Sequence, residues 1–126
     1  MIVRGSVTVA ESGNVRTDFR PRKRYTASAL EWTKIRFAFH DDPSCRVCVR
    51  ERWTELHHVV PRAQSGDDYP ENLIALCGDC HRGVTENRIQ YLMLLRWALT
   101  PAQRHYCVER KGAGWLEKKY PAVMSL

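Results

Sequence analysis

A chain of 126 residues has room for one hydrophobic core of ordinary size. With 44% hydrophobic and 27% charged residues, its composition is that of a folded soluble protein, and no apolar run approaches the roughly 18 residues that would span a bilayer. The N-terminus lacks the apolar core of a signal peptide, so we expect a cytoplasmic protein without a membrane partner. The net charge of +6 favours a polyanionic partner without identifying it.

Basic residues are concentrated near the N-terminus. The segment 16–24 contains only one acid, Asp18, and five basic residues, namely Arg16, Arg20, Arg22, Lys23 and Arg24. Pro21 and repulsion between like charges oppose a helix here, so this segment is predicted to be an extended basic arm. The alternating stretch in residues 1–15 could be an edge strand or a loose part of the same arm. Contact with a phosphate backbone is the favoured role of this arm, and a solvated linker is the alternative.

The first predicted helix follows the arm. Ser28 and Glu31 have the spacing of a capping box, and the residue before Pro43 is disfavoured in a helix. A second helix is predicted from Thr85, as its cap, to about Leu99. Its segment 91–95 is apolar almost all round, so we expect cover on more than one side, from the same chain or from a second copy.

A third helix is predicted to begin after Thr100. Pro101 suits its first turn, and Gln103 stands at the capping-box position. We expect Gly112 and Gly114 to end it. The following apolar residues should then fold back onto the core: Trp115, Leu116 and Tyr120.

Four of the five cysteines form two Cys-x-x-Cys pairs, Cys45 with Cys48 and Cys77 with Cys80. In a reducing compartment, two such pairs in one small chain predict a four-thiolate zinc site rather than disulfides. An iron–sulfur cluster is the main rival, but the pairs lack the clustered spacing of ferredoxins. Cys107 is predicted to be a buried or half-exposed free thiol.

Three of the five histidines lie between or beside these pairs: His57, His58 and His81. Adjacent side chains on a strand point to opposite faces, so one of the paired histidines can face a metal and the other a reacting water. The loop from Gln64 to Tyr69 carries two acids, which we interpret as part of a turn with Gly66 for backbone freedom rather than as catalytic groups.

The pattern C-x2-C, ELHHVVP and ENLIALCGDCH resembles the HNH endonuclease family in its zinc-bound ββα-metal form. The likeness covers residues 45–83, and the flank from Leu99 to Pro121 is more loosely similar to small HNH proteins of bacteriophages. The resemblance implies an α+β fold with a ββα-metal (His-Me finger) core, a structural zinc, flanking helices and the basic arm. Its strands would be Thr54–His58 and Leu73–Leu76, followed by a helix starting near Gly78. The predicted domain organisation is an arm at 1–25, a nuclease domain at 26–100 and a C-terminal helical extension at 101–126 that packs on the core.

The resemblance also assigns roles. His58 matches the general base, and Asn72 the asparagine that holds the loop so that His58 points correctly. His57 and His81 match the two ligands of a catalytic divalent metal, His57 standing where aspartate is more common. Imidazole suits the base at neutral pH, and two imidazole ligands favour Mn²⁺, Ni²⁺ or Co²⁺ over Mg²⁺. The products would carry 5′-phosphate and 3′-hydroxyl ends.

The expected function is therefore metal-dependent cleavage of one or both DNA strands. Further phosphate contacts are predicted at Arg62 and Arg82, in addition to the arm residues Arg20, Arg22, Lys23 and Arg24. If the chain is encoded by a phage, a terminase or portal protein is a candidate partner and the location is the host cytoplasm. The chain is expected to be a monomer or a homodimer. The alternative is a non-catalytic zinc-bound DNA-binding module or packaging accessory protein, which would leave the grouping of His58, Asn72 and His81 unexplained.

Overall fold

The computed structural model describes residues 23–123, so most of the predicted arm lies outside the described residues. In this part of the chain, a two-stranded sheet is combined with five α-helices, which confirms the α+β class. The elements in chain order are α1 (Ala29–Ala38), β1 (Glu55–His58), β2 (Leu73–Leu76), α2 (Gly78–Thr85), α3 (Ile89–Ala98), α4 (Pro101–Lys111) and α5 (Ala113–Lys119). None of these helices is long and apolar enough to cross a membrane.

The sheet is an antiparallel pair that sets the position of both adjacent histidines. His57 lies opposite Ile74, and His58 lies opposite Leu73. All four residues of β2 are buried, because protein covers both faces of this strand. The strands begin and end within one residue of the predicted bounds, and α2 follows β2 as expected.

The C-terminal helices complete the hydrophobic core. Val59 and Val60 after β1, together with Leu76 of β2, pack in one cluster with side chains of α2, α3, α4 and α5. Leu116 and Tyr120 are buried in this cluster, as predicted, and Cys107 is a fully buried free thiol. The capping boxes predicted at Ser28 and Thr100 both form.

Two helix predictions are corrected, and a third is met only in part by the described residues. Thr85 ends α2 instead of capping the next helix, because α2 continues past Gly83, which is buried against Tyr91. Gly112 ends α4 with a φ of 94°, but Gly114 lies inside α5 and stops nothing. In α3, only Leu92 and Leu95 are buried, whereas 49% of Leu94 and 67% of Trp97 are exposed, so the described residues cover this helix on one side only.

Candidate active site

The three clustered histidines line one open cleft of about 510 Å³. His57 and His58 come from β1, and His81 comes from the middle of α2. The remaining wall is formed by the first helix and by the residues around β1: Trp32, Arg36, Leu56, Pro61 and Arg62. The β1–β2–α2 arrangement therefore brings together side chains that are 24 positions apart in sequence.

His58 is held by a buried carboxylate. Its Nε2 lies 2.8 Å from Oδ1 of Asp68, a residue that is 1% exposed. Burial lowers the pKa of His58, while the hydrogen bond and negative charge of Asp68 raise it; the net effect is a pKa below the ordinary value. His58 is therefore neutral at physiological pH and can accept a proton.

The loop between the strands differs from its interpretation as a simple turn. Asp67 and Asp68 are both buried, and Asp68 also accepts hydrogen bonds from the backbone N–H of Ala27 and from Arg24. Burial raises the pKa of Asp68, but the hydrogen bonds and charges of Ala27, Arg24 and His58 lower it by more. The net effect is a pKa below the ordinary value, so the carboxylate stays ionised. The sequence gives a weak signal for this contact, since two adjacent acids follow His58 at a distance of about ten residues, but it does not tell which way the loop folds.

Gly66 has a different role from the one predicted. The residue of this loop with a left-handed backbone is Ser65, whose φ is 65°. A Cβ added at Gly66 would lie 1.7 Å from the carbonyl oxygen of Val60, so the position requires glycine for close approach rather than for backbone freedom.

Asn72 is fully buried behind the cleft and ties the loop to the end of β1. Its Oδ1 accepts a hydrogen bond from the N–H of Val60 at 2.7 Å. Its Nδ2 donates to the carbonyls of Val60 and Asp67, both at 3.0 Å. Asn72 thus contacts the residue that immediately precedes Asp68, the carboxylate that contacts His58.

His57 and His81 lie side by side, with ring centroids 5.2 Å apart. Burial lowers the pKa of His57 to about 3, and the positive charge of Lys119, or of His81 and His58 when protonated, acts in the same direction. Its Nε2 is 3.2 Å from the hydroxyl of Tyr120. His81 is 29% exposed, and its Nδ1 contacts a carboxylate oxygen of Glu55. Imidazole side chains are ligands that suit a divalent transition metal.

The four paired cysteines converge at the start of α2. Their sulfur atoms all lie within 4.8 Å of one another, and the Sγ atoms of Cys48 and Cys77 are 3.9 Å apart. A zinc ion bound to four thiolates at ~2.3 Å requires sulfur–sulfur distances of about 3.8 Å, so the cluster fits zinc. Burial raises the pKa of Cys45, but backbone N–H groups lower it to about 7. Burial raises the pKa values of Cys77 and Cys80, so binding of a metal would have to displace their protons.

Only one of the predicted phosphate-binding residues among the described residues, Arg62, lines the cleft. Arg62 is exposed at the cleft, whereas Arg82 is 68% exposed, lies 3.6 Å from Asp79 and does not line the cleft. Lys23 is exposed, and Arg24 points inward to Asp68 and the carbonyl of Gly66. Arg20 and Arg22 lie outside the described residues. Sequence reasoning missed Trp32 and Arg36, because the distance between α1 and the histidines is set only by tertiary packing.

Comparison with known proteins finds one family that matches the part of the chain containing the cleft histidines. Residues 45–87 match the family described as HNH endonuclease, and they include both cysteine pairs and all three cleft histidines. This segment, about a third of the chain, therefore resembles an HNH endonuclease domain, and the family it matches suggests nuclease activity on DNA.

A more specific similarity is to the Type IV methyl-directed restriction enzyme EcoKMcrA of Escherichia coli (strain K12). The two are 47% identical over 30 residues, a segment that covers 24% of this chain and 11% of that enzyme. The chain thus matches a small part of this curated relative. No solved structure matches the chain.

Proposed function

We propose that this protein is a metal-dependent DNA endonuclease in which His58 is the general base. The observation that carries the proposal is that His57, His58 and His81 share one open cleft with two arginines, Arg36 and Arg62. Phosphodiester hydrolysis needs a base near neutral pKa, a cation beside the reacting phosphate, and space for a nucleic-acid strand. This cleft offers the base, ligands for a cation and positive charge on its walls.

The proton acceptor is a defined atom of His58. The carboxylate of Asp68 can only accept a hydrogen bond, so the Nε2 atom of His58 carries the proton and Nδ1 keeps its lone pair. In the proposed reaction, Nδ1 takes a proton from the attacking water. The resulting imidazolium keeps its bond from Nε2 to Asp68, whose negative charge stabilises the positive ring. Asp68 is therefore a positioning residue for His58.

His57 and His81 would hold a single divalent metal. When bound, the metal would stabilise the charge that develops on the phosphate and on the leaving 3′ oxygen, which implies 5′-phosphate and 3′-hydroxyl products. The two imidazoles favour Mn²⁺, Ni²⁺ or Co²⁺ over Mg²⁺. The four-cysteine cluster would hold a separate zinc ion, which links the loop before β1 to the start of α2 and so stabilises the frame of the site.

DNA contacts would come from both walls of the cleft. Arg62 and Arg36 can bind phosphates, and Trp32 offers an aromatic face beside His58, with ring centroids 6.1 Å apart. The arm residues Arg20, Arg22 and Lys23 would add phosphate contacts outside the cleft. Arg24 is already paired with Asp68, so we propose that it stabilises the site and does not bind DNA.

A plasmid-nicking assay with added Mn²⁺, Ni²⁺, Co²⁺ or Mg²⁺ tests the proposal. His58→Ala should reduce nicking by at least 10²-fold, as expected for loss of a general base. His105→Ala is the matched control, because His105 is 73% exposed on α4 and lies outside the cleft. A folded, zinc-loaded His58→Ala protein that nicks like wild type would exclude the assigned mechanism. Wild-type protein that binds DNA but nicks with none of the metals would instead favour the non-catalytic DNA-binding module.

Deletion of residues 1–22 tests the arm separately and leaves the Arg24–Asp68 pair in place. The truncated protein should bind DNA more weakly and show a smaller slope of log affinity against log salt concentration, because fewer counterions are released. An unchanged slope would contradict phosphate binding by the arm.

The resemblance of the flank to small bacteriophage proteins extends the proposal to DNA packaging beside a terminase or portal protein. The exposed apolar side chains of Leu94 and Trp97 on α3 would suit such a partner. Co-purification with a terminase encoded beside the gene, lost in Trp97→Ser, would support this role. Nicking without any such binding would leave the nuclease proposal intact and contradict the packaging role.

A further inference from the structure

Tyr120 connects the C-terminal helices to the proposed metal site. It follows α5, is fully buried, and lies outside the segment that matches the HNH family. Its hydroxyl has two polar neighbours: the carbonyl oxygen of Val59 at 2.7 Å and Nε2 of His57 at 3.2 Å.

The direction of these hydrogen bonds follows from the chemistry of the three groups. A backbone carbonyl can only accept, so the single proton of the Tyr120 hydroxyl is donated to Val59. The hydroxyl oxygen is then available to His57 only as an acceptor. The Nε2 atom of His57 must therefore be the donor, which leaves the lone pair of a neutral imidazole on Nδ1.

We propose that Tyr120 is a positioning residue that fixes His57 in the Nε2–H tautomer and thereby presents Nδ1 as the atom that binds the divalent cation. The part of this inference that concerns the cation rests on the proposed function. The tautomer itself is a property of the protein without any cation in the cleft.

The packing around Tyr120 supports a fixed geometry. The ring of Trp115 meets the ring of Tyr120 at 77°, with centroids 6.1 Å apart. The Arg96 side chain donates to the carbonyl of Tyr120 at 2.9 Å and pairs with Glu117 at 2.8 Å. Rotation of the hydroxyl proton toward His57 would break the buried hydrogen bond to the carbonyl of Val59, which is unfavourable.

A consequence is that the segment matching the HNH family does not itself supply the hydrogen-bond acceptor that sets the tautomer of His57. In metal sites generally, a group that accepts the second ring N–H of a histidine ligand sets its tautomer and orientation. Here the acceptor comes from a residue about 60 positions after His57, on an element outside the family match.

The tautomer can be measured directly by NMR. Zinc-loaded protein labelled with ¹⁵N-histidine, without a second divalent metal, is recorded at pH 7.5 in long-range ¹H–¹⁵N correlation spectra. The His57 signals are identified as those missing in His57→Gln. The expected pattern is a protonated Nε2 and an unprotonated Nδ1, and the opposite tautomer or an even mixture would overturn the proposal.

Cation binding provides the second readout. Tyr120→Phe removes the hydroxyl and keeps the ring, so the affinity for Mn²⁺, measured by calorimetry on the zinc-loaded protein, should fall about 10–100-fold. Tyr106→Phe is the matched control, because it also removes a buried hydroxyl, but one that is bonded to Asp67 and not to His57. An unchanged Mn²⁺ affinity in Tyr120→Phe, or an equal loss in both variants, would contradict the assignment.

These outcomes separate the two proposals. Protein that shows the Nε2–H tautomer but nicks no DNA would leave the role of Tyr120 standing and refute the nuclease. Protein that nicks DNA through His58 but shows the Nδ1–H tautomer at His57 would refute only the role of Tyr120.

Discussion

Asn72→Ala should destabilise the fold by about 3 kcal/mol. The Asn72 side chain is fully buried and makes three hydrogen bonds, one from the N–H of Val60 and two to the carbonyls of Val60 and Asp67. Alanine leaves all three backbone groups without this partner, and an unsatisfied buried group costs about 1–3 kcal/mol, with carbonyls at the low end. The sum is a large part of the ~5–15 kcal/mol that stabilises a typical domain.

Urea unfolding of the zinc-loaded protein, followed by tryptophan fluorescence, measures this change. The unfolding midpoint should fall while the slope of the free energy against urea concentration stays constant, and the melting temperature should fall by roughly 10 °C. Glu71→Ala is the control at the neighbouring exposed position and should stay within ~0.5 kcal/mol of wild type. A loss below ~1 kcal/mol in Asn72→Ala would show that other contacts hold the loop and would refute the reasoning.

Three further predictions concern the loop, the zinc cluster and the base. Gly66→Ala should destabilise the protein by at least ~2 kcal/mol, because its Cβ would lie 1.7 Å from the carbonyl oxygen of Val60. Gly114→Ala, with open space around the new Cβ inside α5, should instead be neutral or stabilising in the same urea titration. Zinc analysis should find one ion per chain, and its release by a thiol reagent or chelator should lower the melting temperature; an absorption spectrum typical of an iron–sulfur cluster would contradict this assignment. Burial lowers the pKa of His58, so the nicking rate under single-turnover conditions should fall only below pH 6.5. Asp68→Asn removes a negative charge that raises this pKa, so it should move the fall in rate to still lower pH while also slowing the reaction; a shift to higher pH would contradict the role of Asp68.

Local features of the sequence predict two helix starts and the cysteine cluster. Capping boxes at Ser28 and Thr100 depend on residues three positions apart, and they predict two helix starts correctly. The spacing of the four cysteines likewise predicts a cluster, because a Cys-x-x-Cys turn can direct two sulfurs to one point. The end of the second predicted helix was correct but its start was not, since burial of Gly83 against Tyr91 lets α2 continue to Thr85.

The residues that complete the candidate site depend on tertiary packing. Asp68 reaches His58 only because Asn72 and Gly66 fold the intervening loop inward, and an acid in a polar loop looks like a solvated turn in the sequence. Tyr120 reaches His57 from more than 60 residues away, because the C-terminal helices pack on the core. The sequence alone indicated the cysteine cluster through two Cys-x-x-Cys pairs, and it indicated the three histidines and the HNH family through the resemblance of residues 45–83. Only the tertiary structure decided which carboxylate faces the proposed base and which hydroxyl faces the proposed metal ligand, because those contacts join segments that no local pattern links.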